Sequence, residues 1–141
     1  HSTEYHVMWR VAFEPGEVKV VARKDGKQVG EQTIRTAGAP HHIVLKKTYQ
    51  GTLAFGTSDP TTFVEVQVVD KDGNLCPNAD NQIFFSSDAK ILGTDNGCQT
   101  SLERFTDPHR KAFFGKCVVV LKGKGTLTAK AVDLQQAQIQ L

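Results

Sequence analysis

The segment Phe63-Val64-Glu65-Val66-Gln67-Val68-Val69-Asp70-Lys71-Asp72-Gly73-Asn74 decides the fold. Val64, Val66 and Val68 recur at every second position with Glu65 and Gln67 between them, which is the period of a strand with one buried face. A helix would scatter the three valines around its circumference. Asp72-Gly73 then ends the run as a tight turn in which glycine tolerates a positive φ.

The same alternation recurs at 42–47, 82–87, 90–94, 116–122, 126–133 and 136–141. Together with 63–70 these are short strands separated by turn residues, about seven in roughly 100 residues, the pattern of an immunoglobulin-like β-sandwich. No segment carries sustained helical periodicity with caps at both ends, and 101–110 offers at most a short helical turn. The remainder of 95–110 reads as one long loop. Loops of that length in compact domains are more often functional or tied into a larger assembly than idle.

Upstream, His6-Val7-Met8-Trp9-Arg10-Val11-Ala12-Phe13 reads as a strand with Trp9 in a core, ended by Pro15-Gly16. A second strand at 17–23 runs through Asp25-Gly26, a strong hairpin signal, into a third at 28–36. Three strands make a meander but not a closed sandwich, so this part is expected to be the later, truncated half of a β-sandwich. Ala37-Gly38-Ala39-Pro40 supplies the break between two modules, 1–39 and 40–141. The expected fold class is all-β throughout.

Seventeen basic residues against fifteen acidic ones, spread along the chain, give a net charge of +2. The clustered positive charge of a nucleic-acid binder is missing. No apolar run approaches the ~20 residues of a membrane-crossing helix, so no membrane span is expected. His1 to Tyr5 supply neither a basic nor an apolar stretch of the kind a signal peptide needs. Cys76, Cys98 and Cys117 are odd in number and widely spaced, which suits three reduced, partly buried thiols better than a framework of bridges, with one bridge plus a free thiol as the alternative.

Acid-base catalysis by carboxyl groups needs a pair of them held close together. Glu65, Asp70, Asp72, Asp95 and Glu103 are the acids available, and turn and surface roles account for them. Asp70-Lys71-Asp72-Gly73-Asn74 lacks the Gly and the Glu that an EF-hand loop requires, because Leu75 and Asn81 stand at those places, leaving a looser calcium site on the loops as the alternative. His41 and His42, adjacent at a strand start, are expected to point to opposite faces and so not to share a metal. His1, His6 and His109 have no partners near in sequence, and no serine stands in a nucleophile motif. No catalytic residue, metal site or cofactor is therefore expected. Tyr5, Trp9, Tyr49, Phe105 and Phe114 are the aromatics available to stack on a sugar, with Tyr49 and Phe105 in or near loops. The candidate contact surface, toward another domain or a glycan, comprises Asp95, Asn96, Glu103, Phe105, Arg110 and Tyr49.

Two sets of motifs resemble a known family. Trp9-Arg10-Val11, Phe13-Glu14-Pro15-Gly16-Glu17-Val18-Lys19, Asp25-Gly26-Lys27 and Thr36-Ala37-Gly38-Ala39-Pro40 resemble the end of the sandwich domain that follows the barrel in many family 2 glycoside hydrolases. Phe63 to Asp70, Asp72-Gly73-Asn74, Pro77-Asn78-Ala79-Asp80-Asn81, Asp95-Asn96-Gly97, Thr100-Ser101-Leu102-Glu103 and Arg110-Lys111-Ala112-Phe113 resemble the invasin/intimin-like C-terminal domain of bacterial β-galactosidases in that family. The resemblance implies a parent enzyme that cleaves terminal β-galactosides by a retaining mechanism, with both catalytic glutamates in an upstream TIM barrel. It implies a non-catalytic accessory domain here, with the parent's other domains, carbohydrate and a homo-oligomer of the parent as partners, and a periplasmic or secreted location. The alternative is an immunoglobulin-like binding or adhesion module, which the lack of a second copy of the same repeat disfavours.

Overall fold

The structure, a computed structural model, describes residues 2–3, 6–52 and 59–141. These residues form twelve strands and no helix: β1 (Ser2–Thr3), β2 (His6–Val7), β3 (Glu17–Lys24), β4 (Lys27–Arg35), β5 (His42–Gly51), β6 (Thr61–Val69), β7 (Gln82–Ser87), β8 (Lys90–Asp95), β9 (His109–Lys111), β10 (Lys116–Lys122), β11 (Thr126–Lys130) and β12 (Ala137–Gln140). They fall into two compact units, His1–Thr36 and Ala37–Leu141.

The larger unit is a sandwich of two four-stranded antiparallel sheets, ordered β5-β6-β10-β8 and β12-β11-β7-β9. Its core follows from alternation. Val64, Val66 and Val68 of β6 and Cys117, Val119 and Leu121 of β10 meet Ile83 and Phe85 of β7 and Leu127 and Ala129 of β11. Each fully buried Val or Leu contributes about 1.5–3 kcal/mol relative to exposure, so this interdigitated layer is the main source of stability. The first residues of β5 are clipped to the lead-in of β12, with the Ile43 amide donating to the Gln135 carbonyl (3.1 Å) and the Gln135 amide to the His41 carbonyl (3.0 Å).

Asp70 ends β6 as a buried anchor. Its carboxylate accepts from the amides of Gly38 (2.8 Å), Asp72 (3.0 Å) and Asn74 (2.8 Å) and from the Asn74 side-chain amide (3.1 Å). The turn read at Asp72-Gly73 is thus held by Asp70.

Three strand expectations change. The stretch 101–110 holds a single hydrogen-bonded turn, the Asp107 amide donating to the Arg104 carbonyl (3.1 Å), and then enters β9 at His109, which pairs with β7 from Gln82↔Lys111 to Phe84↔His109. Strand β11 stops at Lys130 instead of 133, since Asp133 adopts φ 61 and the Leu134 amide turns back to the Ala131 carbonyl. With β9 present the sandwich has eight strands.

In the smaller unit β3 and β4 form a hairpin through Asp25 (φ 51) and Gly26 (φ 76), the two positive-φ positions that an Asp-Gly turn supplies. Cross-strand pairs Val18↔Ile34, Val20↔Gln32 and Ala22↔Gly30 make one face largely apolar. The other face carries the exposed ion pairs Lys19–Glu31 (2.7 Å) and Arg35–Glu17 (2.8 Å), which add little stability. The expected three-stranded meander is not formed. Residues 8–13 lie outside any strand, and Trp9, expected in a core, is 66% exposed. High strand propensity describes a fit to a pleated surface, and among the described residues no strand pairs with this stretch to supply one.

Candidate functional site

The loop between β8 and β9 is tightly held. Asp95 opens it by accepting from the amides of Asn96 (2.7 Å) and Gly97 (3.1 Å), so the Asx turn read in Asp95-Asn96-Gly97 is formed, with Gly97 at φ 74. Asn96 then reaches across to donate to the Lys111 carbonyl (2.8 Å). The Thr94 amide donates to the Phe105 carbonyl (2.7 Å), laying the returning arm of the loop against β8.

Arg110 fastens the arms together. Its side chain is 1% exposed and donates to the carbonyls of Thr94 (2.8 Å), Arg104 (2.9 Å) and Glu103 (3.3 Å), while its guanidinium carbon lies 5.4 Å from the centre of the Phe105 ring. Glu103 stands 3.6 Å from Arg110 and accepts from the Gln82 side-chain amide (2.9 Å) and the Lys111 backbone amide (3.1 Å). Burial alone would raise the Glu103 pKa. The Gln82 and Lys111 donors and the charge of Arg110 outweigh it and hold the group below its ordinary value.

Arg110 therefore acts from inside the loop and is not part of its outer surface, whereas Phe105 is 65% and Leu102 98% exposed. Leu102 was not singled out by pattern; only its place in a pinned loop gives it meaning. Tyr49 stands apart from this group. It packs on Phe63 (5.4 Å between ring centres) along β5, while the loop leaves from β8 at the opposite edge of the same sheet. Tyr5 lies outside the described residues.

Four of the five acids have local partners. Glu65 faces Lys116 (3.4 Å) and Gln67, Asp70 serves backbone amides, Asp95 caps its own turn, and Glu103 braces the loop. The Asp70 oxygens are taken up by N–H donors, led by Gly38, which hold its pKa down to about 2 against the effect of burial. His41 and His42 depart from expectation: their Nδ1 atoms approach to 2.9 Å with the rings edge-to-face, because His41 precedes β5 and does not obey its alternation. Among the described residues no three His, Cys, Asp or Glu side chains converge as a metal site would require. The three cysteines are free thiols.

A second feature follows the Arg110 strand along the chain. Phe113 and Lys116 exchange both backbone hydrogen bonds (2.8 and 3.1 Å) around Phe114 (φ 49) and Gly115 (φ 77), a two-residue turn with both central residues left-handed. Left-handed backbone costs a residue such as Phe roughly 1–2 kcal/mol, so glycine or asparagine is the relaxed choice at position 114. Phe113 and Phe114 lie 4.4 Å apart between ring centres and wall a shallow groove of about 220 Å³ with Pro77, Asn78, Ala79 and Asp80.

The fold and site define an immunoglobulin-like sandwich module with a pinned surface loop. The chain belongs to the glycoside hydrolase family 2 C-terminal domain 5 family, whose model matches residues 45–140, while residues 1–30 match a domain of unknown function (DUF4982). It is similar to the β-galactosidase BoGH2A of Bacteroides ovatus, at 47% identity over 96% of this chain and 17% of that protein. The crystal structure of a β-glycosidase from Bacteroides vulgatus superimposes with a TM-score of 0.82 at 33% identity over 94% of this chain and 18% of that one. A family 2 β-glucuronidase shares the fold with a TM-score of 0.74 at 24% identity, over 93% of this chain and 14% of that one. The chain thus spans less than a fifth of the length of these relatives.

Proposed function

We propose that the chain is the C-terminal accessory part of a longer family 2 glycoside hydrolase of the β-galactosidase type, to which it contributes no catalytic residue. Residues 1–39 are then the last strands of a preceding sandwich and 40–141 an accessory domain whose 95–110 loop docks on another part of the enzyme. The observation that carries this reading is Leu102, 98% exposed on a loop that a buried arginine holds in place. Rigidly presented apolar side chains suit a preformed contact, which forms without the entropic cost of ordering a mobile loop. The 47% identity to a β-galactosidase supports the enzymatic side of the proposal. A periplasmic or secreted enzyme fits the same reading, since polymeric glycans are met outside the cytoplasm.

The test compares hydrolysis of a chromogenic β-galactoside by this chain, by the longer enzyme, and by the longer enzyme lacking 40–141. An inactive chain, an active enzyme and a less thermostable truncated enzyme are expected. Hydrolysis by the 141-residue chain would overturn the proposal, and a Leu102→Asp enzyme as stable as its parent would remove the loop from it.

A further inference from the structure

We infer that the turn at 113–116 and the loop at 76–80 form a binding site for a single neutral pyranose ring at the end of a glycan. It extends the proposed function, which guides only the choice of test sugars. Phe114 is 65% exposed, so its ring is not kept for the core, yet it occupies a left-handed position where a smaller residue would be relaxed. Strained side chains held in this way are found at ligand clamps.

The chemistry of the walls selects the ligand. The rings of Phe113 and Phe114 pack on each other with a tilt of 52°, and the exposed part of Phe114 offers a negative π-surface that attracts the C–H face of a sugar ring. Exposed Asn78 and Asp80 stand beside them with donor and acceptor atoms for hydroxyls. Asp80 is balanced by Lys111 at 3.2 Å, so a charged ligand meets no strong field. A purely apolar ligand would cover the amide and carboxylate without pairing them. A ring with one apolar face and hydroxylated edges satisfies both parts. The groove, about 220 Å³, is smaller than pockets for drug-sized molecules, which run to ~300–1,000 Å³, and suits one ring.

The site is also preorganised. The Gly115 amide donates to the Ala79 carbonyl (3.0 Å), the Ala112 amide to the Asn81 carbonyl (2.9 Å), and the Val68 amide to the Gly115 carbonyl (2.8 Å), which ties both walls to the central strand β6. A Cβ at position 115 would collide with the Cys76 carbonyl, so glycine lets the turn pack directly against the loop.

The experiment is an NMR titration of the 15N-labelled chain with the methyl β-glycosides of galactose, glucose and xylose, with sorbitol as the polyol control. Saturable shifts confined to the amides of 78–80 and 113–116 are expected with at least one glycoside, at millimolar affinity, and none with sorbitol. Phe114→Asn, which relaxes the turn and should leave Tm unchanged or higher, is expected to weaken binding roughly tenfold or more. Asn78→Ala should weaken it without changing the turn. The inference is overturned if no glycoside gives saturable shifts, if sorbitol matches them, or if Phe114→Asn binds as tightly as the parent. Self-association that Phe114→Asn abolishes, without any sugar response, would overturn it in favour of a contact between protein chains. Loss of the β-galactosidase reading in the hydrolysis assay would leave this titration intact.

Discussion

Val20 of the hairpin and Val66 of the sandwich stand in similar alternating runs, yet one is 43% exposed and the other is completely buried. Alternation marks which face of a strand seeks burial. It does not supply the second sheet. The sandwich provides that sheet for β6 and β10 from within residues 37–141, whereas among the described residues β3 and β4 pair only with each other, and isolated hairpins are marginal in water. The difference teaches that alternation leaves Val18, Val20 and Ile34 of the hairpin exposed where no opposing layer is formed among the described residues of their unit.

Matched substitutions sharpen this contrast most. Val66→Ala is expected to cost about 2–3 kcal/mol through lost burial and a residual cavity. Val20→Ala, the same chemical change, should fall within about 0.5 kcal/mol, as exposed substitutions do. Urea unfolding of both variants makes the comparison, and equal losses would break it. In the longer enzyme the Val20 cost should rise toward that of Val66 if a preceding sandwich covers the face.

Next in size is Arg110→Met. Methionine fills much of the space but leaves the Thr94 and Arg104 carbonyls without their donor, a loss of about 1–3 kcal/mol per buried group unless the loop opens to water. Hydrogen exchange should show the amides of 95–108 deprotected while those of β6 and β10 stay protected. Uniform deprotection would mean that the arginine supports the whole sandwich and not the loop in particular.

That arginine also explains what the sequence concealed. Strands β7 and β10 begin and end where alternation places them, at 82–87 and 116–122, because their inward positions are apolar. In β9 the inward position of His109-Arg110-Lys111 is a cation, so no hydrophobic period announces the strand. The converse failure is residues 8–13, where apolar residues promise a strand and none forms. The pinned loop was legible through Asp95-Asn96-Gly97 and its length. Phe114 was legible only as an aromatic available to stack on a sugar, and its turn was not, because Phe at a left-handed position contradicts the turn rules that a sequence reading relies on.

A smaller effect follows acidification. Asp70 has an ordinary pKa of 3.8 and a folded value of about 2, so it stabilises the sandwich above the ordinary value and that contribution disappears as pH falls toward 2. The lowered Glu103 acts in the same sense. Urea midpoints measured from neutral pH downward should decline through this window. Asp70→Asn should be weaker at neutral pH and decline less steeply, since an amide cannot accept all the N–H donors. The hairpin offers a contrast in the same titration, because its exposed ion pairs should be sensitive to salt, whereas the enclosed Asp70 anchor should respond far less.

Thiol reactivity probes the comparison most gently, since labelling need not perturb the fold. Cys117 lies in the sandwich core, where burial pushes its pKa up to about 12, and burial next to Asp70 also raises that of Cys76. Cys98 lies in the loop, and its hydrogen bonds with Thr100 lower its pKa. Thiolate is the reactive form, so Cys98 should take up iodoacetamide first in the native chain, and Cys76 and Cys117 only as the sandwich opens. Peptide mapping after timed labelling measures the order. In Arg110→Met, Cys98 should label faster while Cys117 keeps its native rate, because loosening the loop need not open the core. Coupled acceleration of both would show that loop and core open as one unit, and the separation drawn between a pinned surface and a packed interior would then fail.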